Sequence, residues 1–168
     1  MIQLHRNLLL EEETKFLKDK CDNFIETHSP FNNGKVNRSY HKYKLDDTTE
    51  LLDLQQRLLS FLKGIVGDNI EFLSFVINRA DNITNQNDHY HVDKSDWTIV
   101  TYLNDDFEGG DFVYSLDNKE HTHIKVETDL SIIMNNETPH KITPVTNGVR
   151  FSFACFFNYT TKIKKSLI

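Results

Sequence analysis

From about Glu11 to Thr27 the apolar residues Leu17, Cys21, Phe24 and Ile25 recur at three- and four-residue spacing, which predicts an amphipathic helix. The acidic triplet Glu11, Glu12 and Glu13 falls in its first turn, where carboxylates favour the helix dipole and face water rather than a cation. After a polar stretch around Ser29 to Gly34, Asp47 followed by Glu50 signals the start of a second helix. Its apolar stripe runs through Leu51, Leu54, Leu58, Leu62 and Ile65 and is widened by Leu52, Leu59 and Val66. A leucine stripe at this spacing marks core, not a cofactor site.

From Ile70 the period changes. Short β-rich runs follow one another, IEFLSFVIN, WTIVTYL, DFVYSL, THIKVE, LSIIM and VRFSFACFF, separated by Asn, Asp and Gly. Such a series with no helices between the strands excludes a parallel βαβ sheet and favours a double antiparallel sheet of jelly-roll type. The expectation is therefore an α+β protein, mostly β with N-terminal helices. Residues 1–69 would form a helical support region and residues 70–168 a β core with a pocket at one end. No internal repeat, low-complexity segment or linker interrupts it, and the basic tail KIKKSLI reads as solvated.

Composition narrows the function classes. The 168 residues suit one domain, and 38% hydrophobic with 26% charged residues is the balance of an ordered soluble protein. A net charge of -6 argues against a grip on phosphate backbones, so no nucleic-acid partner is expected. The apolar run Leu8 to Leu10 is too short for a signal-peptide core, and no segment has the length of a membrane span. Cys21 and Cys155 read as buried free thiols, consistent with a cytoplasmic location. Oligomeric state is not legible.

The chemistry concentrates in HYHVDKSDWTIVTYLNDDFEGG, residues 89–110. His91 and Asp93 stand two positions apart, so in extended chain both side chains project to the same side. A lone H-x-D is more often a hydrogen-bonded surface pair. Here a further ligand candidate, His140, follows Pro139 after the apolar run LSIIM. Two His and one carboxylate on one face of a metal, with other positions open, form the facial triad of non-haem Fe(II) oxygenases. Ten positions later Arg150 begins a strand whose alternation separates Arg150, Ser152, Ala154 and Phe156 from Phe151, Phe153, Cys155 and Phe157. The first set leaves room for a small ligand whose carboxylate Arg150 would hold by a bidentate fork. The competing reading is an exposed Arg150, or one paired with one of the chain's 25 acids.

Other residues have plainer readings. His89 shares parity with the two ligand candidates, but a triad needs open positions, so it belongs outside the ligand set. His121 and His123 lie among charged residues and suggest an exposed strand or turn; Gly109 and Gly110 supply turn geometry. Tyr90 and Trp97 flank the ligands and would either line a substrate mouth or pack.

Together, HVDKSDWTIVTYLNDDFEGGDF and DLSIIMNNETPHKITPVTNGVRFSF resemble the Fe(II)- and 2-oxoglutarate-dependent dioxygenases, within them the prolyl and lysyl hydroxylase type, over roughly the C-terminal half of the chain. The resemblance implies a double-stranded β-helix (a cupin-like jelly roll) with Fe(II) held by His91, Asp93 and His140. It also implies Arg150 on the far carboxylate of 2-oxoglutarate, Tyr102 as a second contact and Ser152 as a third. The cofactor set it implies is Fe(II), 2-oxoglutarate as co-substrate and O2, with ascorbate as an optional reductant. The implied reaction hydroxylates an aliphatic C–H, foremost of a prolyl or lysyl residue in a peptide or protein, with decarboxylation of 2-oxoglutarate to succinate. A free amino acid or other small molecule is the alternative substrate, and a non-catalytic cupin-like protein binding a metal or small acid is the alternative function. An intact Asp93 argues against halogenation, and Phe156, where demethylases of nucleic acids carry a second Arg, argues against that substrate. Family members often carry a Tyr on the strand before H-x-D; here FVINRADNIT offers Asn78 and Arg79 instead, and NITNQND resembles a substrate loop.

Overall fold

The computed structural model describes residues 1–23, 38–43, 49–83, 89–117 and 119–160, with the backbone alone at 21–23, 38–43, 49 and 50. Among the described residues two helices cover one side. The first, α1 (Glu11–Asn23), begins with Glu13 accepting the Leu10 backbone N–H at 2.7 Å, the reach-back that satisfies a free donor at a helix start. Glu13 also pairs with Arg57 of α2 (Thr49–Val66), and Arg57 donates to the Leu8 carbonyl, so the acidic first turn ties the two helices together. Along α2 the leucine stripe is real: Leu51, Leu54, Leu58 and Leu62 are each no more than 1% exposed. Sequence positions 24–27 of the expected first helix, and the cap at Asp47, lie outside the described residues.

That stripe packs on a six-stranded sheet. Its order is β1 (Ile2–Arg6), β8 (Leu130–Asn135), β4 (Trp97–Tyr102), β11 (Arg150–Tyr159), β3 (Ile70–Ala80) and β2 (Arg38–Tyr43), every pairing antiparallel. A three-stranded sheet, β7 (Thr122–Ile124), β6 (Phe112–Tyr114) and β9 (His140–Ile142), and a two-stranded one, β10 (Val145–Gly148) with β5 (Phe107–Gly109), complete the described strands. The large sheet facing the smaller strands gives the double-stranded β-helix.

Alternation divides the interior in two. On the helix side Phe75, Ile77, Ile99, Ile133, Phe153, Cys155 and Phe157 form one core with the α2 leucines. On the opposite side Tyr102, Ile132 and Met134 form a second core with Phe112 and Val126. Neighbours across the ladder are in step, Cys155 opposite both Ile99 and Phe75, so the aromatic face of β11 lies entirely on the helix side as its sequence predicts. Arg150, Ser152 and Ala154 consequently face the small sheet, and there the site is built.

The region read as helical support, residues 1–69, is more than that: β1 and β2 belong to the large sheet. They escape a periodicity reading because they lie at its two edges, where one neighbour supplies the hydrogen bonds and charged side chains are tolerated. RSYHKY carries no apolar alternation, and Ile2 and Leu4 are too few to show one. The strands 107–109, 140–142 and 145–148 are likewise too short to register. No helix among the described residues is long and apolar enough to cross a membrane.

Since Leu58 is 1% exposed in the helix-side core, Leu58→Ala is expected to cost about 3 kcal/mol of unfolding free energy, read as a lower urea midpoint at unchanged slope.

Candidate active site

The two histidines, 49 positions apart, meet through their backbones. His91 N–H donates to the His140 carbonyl at 3.0 Å and His140 N–H to the His91 carbonyl at 2.9 Å, an isolated antiparallel bridge joining the segment before β4 to the start of β9. Residues exchanging both bonds project their side chains to the same face, and the two imidazole centroids lie 4.4 Å apart. Each ring is then oriented by a second contact. His91 Nδ1 lies 3.2 Å from the His89 carbonyl and His140 Nδ1 3.0 Å from the Thr138 carbonyl. A carbonyl only accepts, so in the neutral ring the proton sits on Nδ1 and Nε2 is left with its lone pair for a ligand.

Asp93 completes the group. Its Oδ2 accepts the Thr98 hydroxyl at 2.6 Å, and Thr98 in turn meets Ser95 Oγ at 3.1 Å. The other oxygen, Oδ1, faces His140 Nε2 at 3.9 Å, too long for a hydrogen bond. One ligand atom from each of His91, Asp93 and His140 lies within 4.8 Å of the others. Two imidazole nitrogens and one carboxylate oxygen, converging with their other atoms already engaged, could hold a divalent transition metal. Phe112 stacks on His140 at 5.3 Å and 17°, walling that side. Thr98 and Phe112 were not legible as site residues, although Thr98 has the parity of Tyr102 along WTIVTY.

The other end of the site is a buried cation. Arg150 is 7% exposed, and no carboxylate of the described residues lies within ion-pairing distance of it. Its Nη1 makes one long contact, 3.4 Å to the Gly110 carbonyl, while its Nε and the Tyr102 hydroxyl are both buried without a partner. Burial pushes the Tyr102 phenol up to about 12, tempered by the Arg150 charge, so it remains a neutral donor. Burial likewise pulls the Arg150 pKa below its ordinary value. A buried guanidinium and a buried phenol with unmet donors are costly unless an acceptor of opposite charge joins them. A carboxylate is the simplest group that fits both.

The register puts further residues beside that pair. Ser152 stands opposite Tyr102 on one side and Asn78 on the other, so the three share the inward face across β4, β11 and β3. Thr98, beneath Asp93, and Tyr102 lie on that same face four residues apart, about 13 Å along β4. Gly110, at φ +68°, lies flush with the Arg150 stem: an added Cβ would sit 3.3 Å from its Cδ and 2.9 Å from Phe107 Cε2. Gly109, at φ +73°, would place a Cβ 2.1 Å from the Pro144 carbonyl oxygen, which no side chain tolerates. Arg79 turns elsewhere and pairs with Asp81 at 2.7 Å.

The remaining candidates separate. Trp97 is buried in the helix-side core, its indole N–H donating to Tyr159 Oη at 2.9 Å, and does not line a mouth. Tyr90 stacks on His121, hydroxyl to Nδ1 2.7 Å, with Lys141 Nζ 5.3 Å from its ring. His121 and His123 are exposed, as is His89, which stands outside the converging group. Residues 84–88 of the NITNQND segment are not among those described.

The 2OG-Fe(II) oxygenase superfamily model matches residues 75–158, half of the chain. The chain belongs to this superfamily. No curated protein sequence matches it. Among solved structures it is similar to a prolyl-4-hydroxylase from Pseudomonas putida (14% identity, TM-score 0.69, covering 94% of this chain and 92% of that one). It is similar also to a prolyl hydroxylase from Trichoplax adhaerens in complex with a hypoxia inducible factor peptide fragment (12%, 0.69, covering 99% and 87%). A third is the non-heme alpha ketoglutarate dependent epimerase SnoN from nogalamycin biosynthesis (11%, 0.77, covering 95% and 79%). At these identities the likeness is one of fold. The cofactor set of the superfamily, Fe(II), 2-oxoglutarate and O2, fits the donors just described: a two-nitrogen, one-oxygen cluster and a buried cation that has no carboxylate partner among the described residues.

Two outcomes follow for the oxygenase. Thr98→Val keeps the shape of the side chain but frees Asp93 to turn; metal affinity measured by titration is expected to fall roughly tenfold with the fold intact. Burial holds the His140 pKa below 6.5, outweighing the Thr138 carbonyl and Asp93, which pull it up. In metal-free protein, folded His140 therefore binds fewer protons than the unfolded chain just below pH 6.5, and stability is expected to decline as pH falls through that window. Thermal melts of wild type against His140→Phe, which should flatten the decline, check the sign.

Proposed function

We propose that this oxygenase hydroxylates an aliphatic C–H of a prolyl or lysyl residue in a peptide or protein, with His91, Asp93 and His140 as the iron ligands. Arg150 and Tyr102 hold the far carboxylate of 2-oxoglutarate, and Ser152 stands beside them as a third contact. One observation carries the cofactor assignment: Arg150 Nε and Tyr102 Oη are buried together without partners. When bound, the cofactor set supplies oxygen activation coupled to decarboxylation of 2-oxoglutarate to succinate. The chain's own residues do the rest. Thr98 and the two backbone carbonyls fix the ligand atoms in advance, so binding requires little reorganisation. Phe112, Ile132 and Met134 pack in one core with Tyr102, and a dry surrounding of that kind strengthens the pairing of a buried cation with an anion.

The substrate reading is supported by the two prolyl hydroxylases of like fold, one of them bound to a peptide. A small molecule is the second reading, favoured by SnoN, whose TM-score of 0.77 exceeds theirs. Purified protein given Fe(II), 2-oxoglutarate and a library of peptides and metabolites, followed by mass spectrometry and a succinate assay, decides between them. A peptide gaining one oxygen on a prolyl or lysyl residue is the expected result; a gain confined to metabolites would move the substrate to the second class. His140→Ala and Asp93→Ala are expected to reduce turnover to background, and Arg150→Ala to raise the KM for 2-oxoglutarate. Undiminished turnover in either ligand variant would remove the assigned metal site.

A further inference from the structure

Asn104 lies just past the end of β4, is 6% exposed, and takes no part in either end of the site. Its amide is nevertheless fully engaged. Oδ1 accepts the Phe151 N–H at 2.7 Å, one Nδ2 hydrogen goes to the Val149 carbonyl at 2.6 Å, and Nδ2 also donates to Asp106 Oδ1. Those two main-chain groups flank Arg150 on either side. The β4–β11 ladder closes with Leu103 N–H donating to the Phe151 carbonyl at 3.0 Å, after which the chain leaves the ladder at Asn104 and backbone pairing resumes at Phe107, opposite Gly148. The Asn104 side chain takes over there: a primary amide has the donor and acceptor of a peptide group and continues the ladder by one step. On its other edge the same segment pairs with β3, Arg150 opposite Ala80.

We infer that Asn104 is a positioning residue for Arg150, acting as a surrogate strand that fixes the backbone from which the guanidinium projects toward the 2-oxo acid. The need is physical. Arg150 lies in the gap between the Leu103–Phe151 and Phe107–Gly148 pairings, and its side chain has one long hydrogen bond of its own to hold it. Without Asn104, the Val149 carbonyl and the Phe151 N–H would each lose their partner on this edge, and between the Leu103 and Phe107 pairings the segment would be held from the β3 side alone. Asparagine is required by the pattern: an aspartate could accept from Phe151 but could not donate to Val149, and would face Asp106 as a like charge. The amide bond to Asp106, which holds that carboxyl below its usual range, keeps the amide in the one orientation that serves both neighbours.

The inference rests on the proposed placement of 2-oxoglutarate, and the test separates the two. Binding of 2-oxoglutarate and of 2-oxobutyrate, which lacks the far carboxylate, is measured by calorimetry on Mn(II)-loaded protein. For Asn104→Ala, affinity for 2-oxoglutarate is expected to weaken roughly tenfold, with affinities for 2-oxobutyrate and for Mn(II) within about twofold of wild type. Should that variant not fold, the near-isosteric Asn104→Asp, and Asp106→Ala at an exposed position, carry the same comparison, the last with a smaller but still selective loss. Equal weakening for both acids, or for neither, overturns the inference and leaves the cofactor site standing. Wild-type protein that fails to bind 2-oxoglutarate overturns the site assignment, and this inference with it.

Discussion

Two main-chain hydrogen bonds, exchanged between His91 and His140, are the constraint on which the rest of the site depends. Neither residue lies deep inside a long ladder: His91 is a single bridge and His140 opens a three-residue strand. Yet this pairing sets both imidazoles on one face, and Asp93 follows because it is two residues beyond His91. Backbone pairing is the economical way to make side chains distant in sequence converge, since it specifies direction as well as proximity. The contacts of the second ring nitrogens, to the carbonyls of His89 and Thr138, are main-chain contacts too. The positions of the donors are therefore a property of the fold more than of loop residues able to drift.

The opposite end works by a different principle. At the imidazole cluster the atoms turned away from the centre are held by backbone carbonyls or by Thr98; at the other end Arg150 Nε and the Tyr102 hydroxyl are buried without a partner. A buried guanidinium without an anion costs several kcal/mol or more, an order of magnitude at which folding and ligand recognition become linked. Gly110 permits the arrangement by leaving room beside the arginine stem, and the rigidity of β11, paired on both edges over most of its length, keeps the cation from swinging out to water.

Much of this is legible in the chain itself. The leucine stripe of α2 and the aromatic parity of β11 are strong periodic signals because each element is long, and both faces turn out as read. The convergence of His91, Asp93 and His140 was expected from donor chemistry, and the structure does bring them together. What stayed hidden shares a cause. The edge strands β1 and β2 and the short β5, β9 and β10 owe their form to pairing rather than to a pattern of their own. Thr98 and Asn104 act through hydrogen bonds to groups that only the fold supplies, and a hydroxyl or an amide in a strand looks the same whether it is satisfied by water or by a ligand's carboxylate.

The alternation that sends Arg150 and Ser152 inward sends Cys155 the other way, into the helix-side core with no exposure at all. Burial raises its pKa well above that of a free thiol, so it stays protonated and loses the nucleophilic form that oxidants attack. An enzyme that activates oxygen risks damaging its own soft atoms. With its sulfur kept as the inert thiol, this chain places Cys155 on the face of β11 opposite the one that carries Arg150 and Ser152.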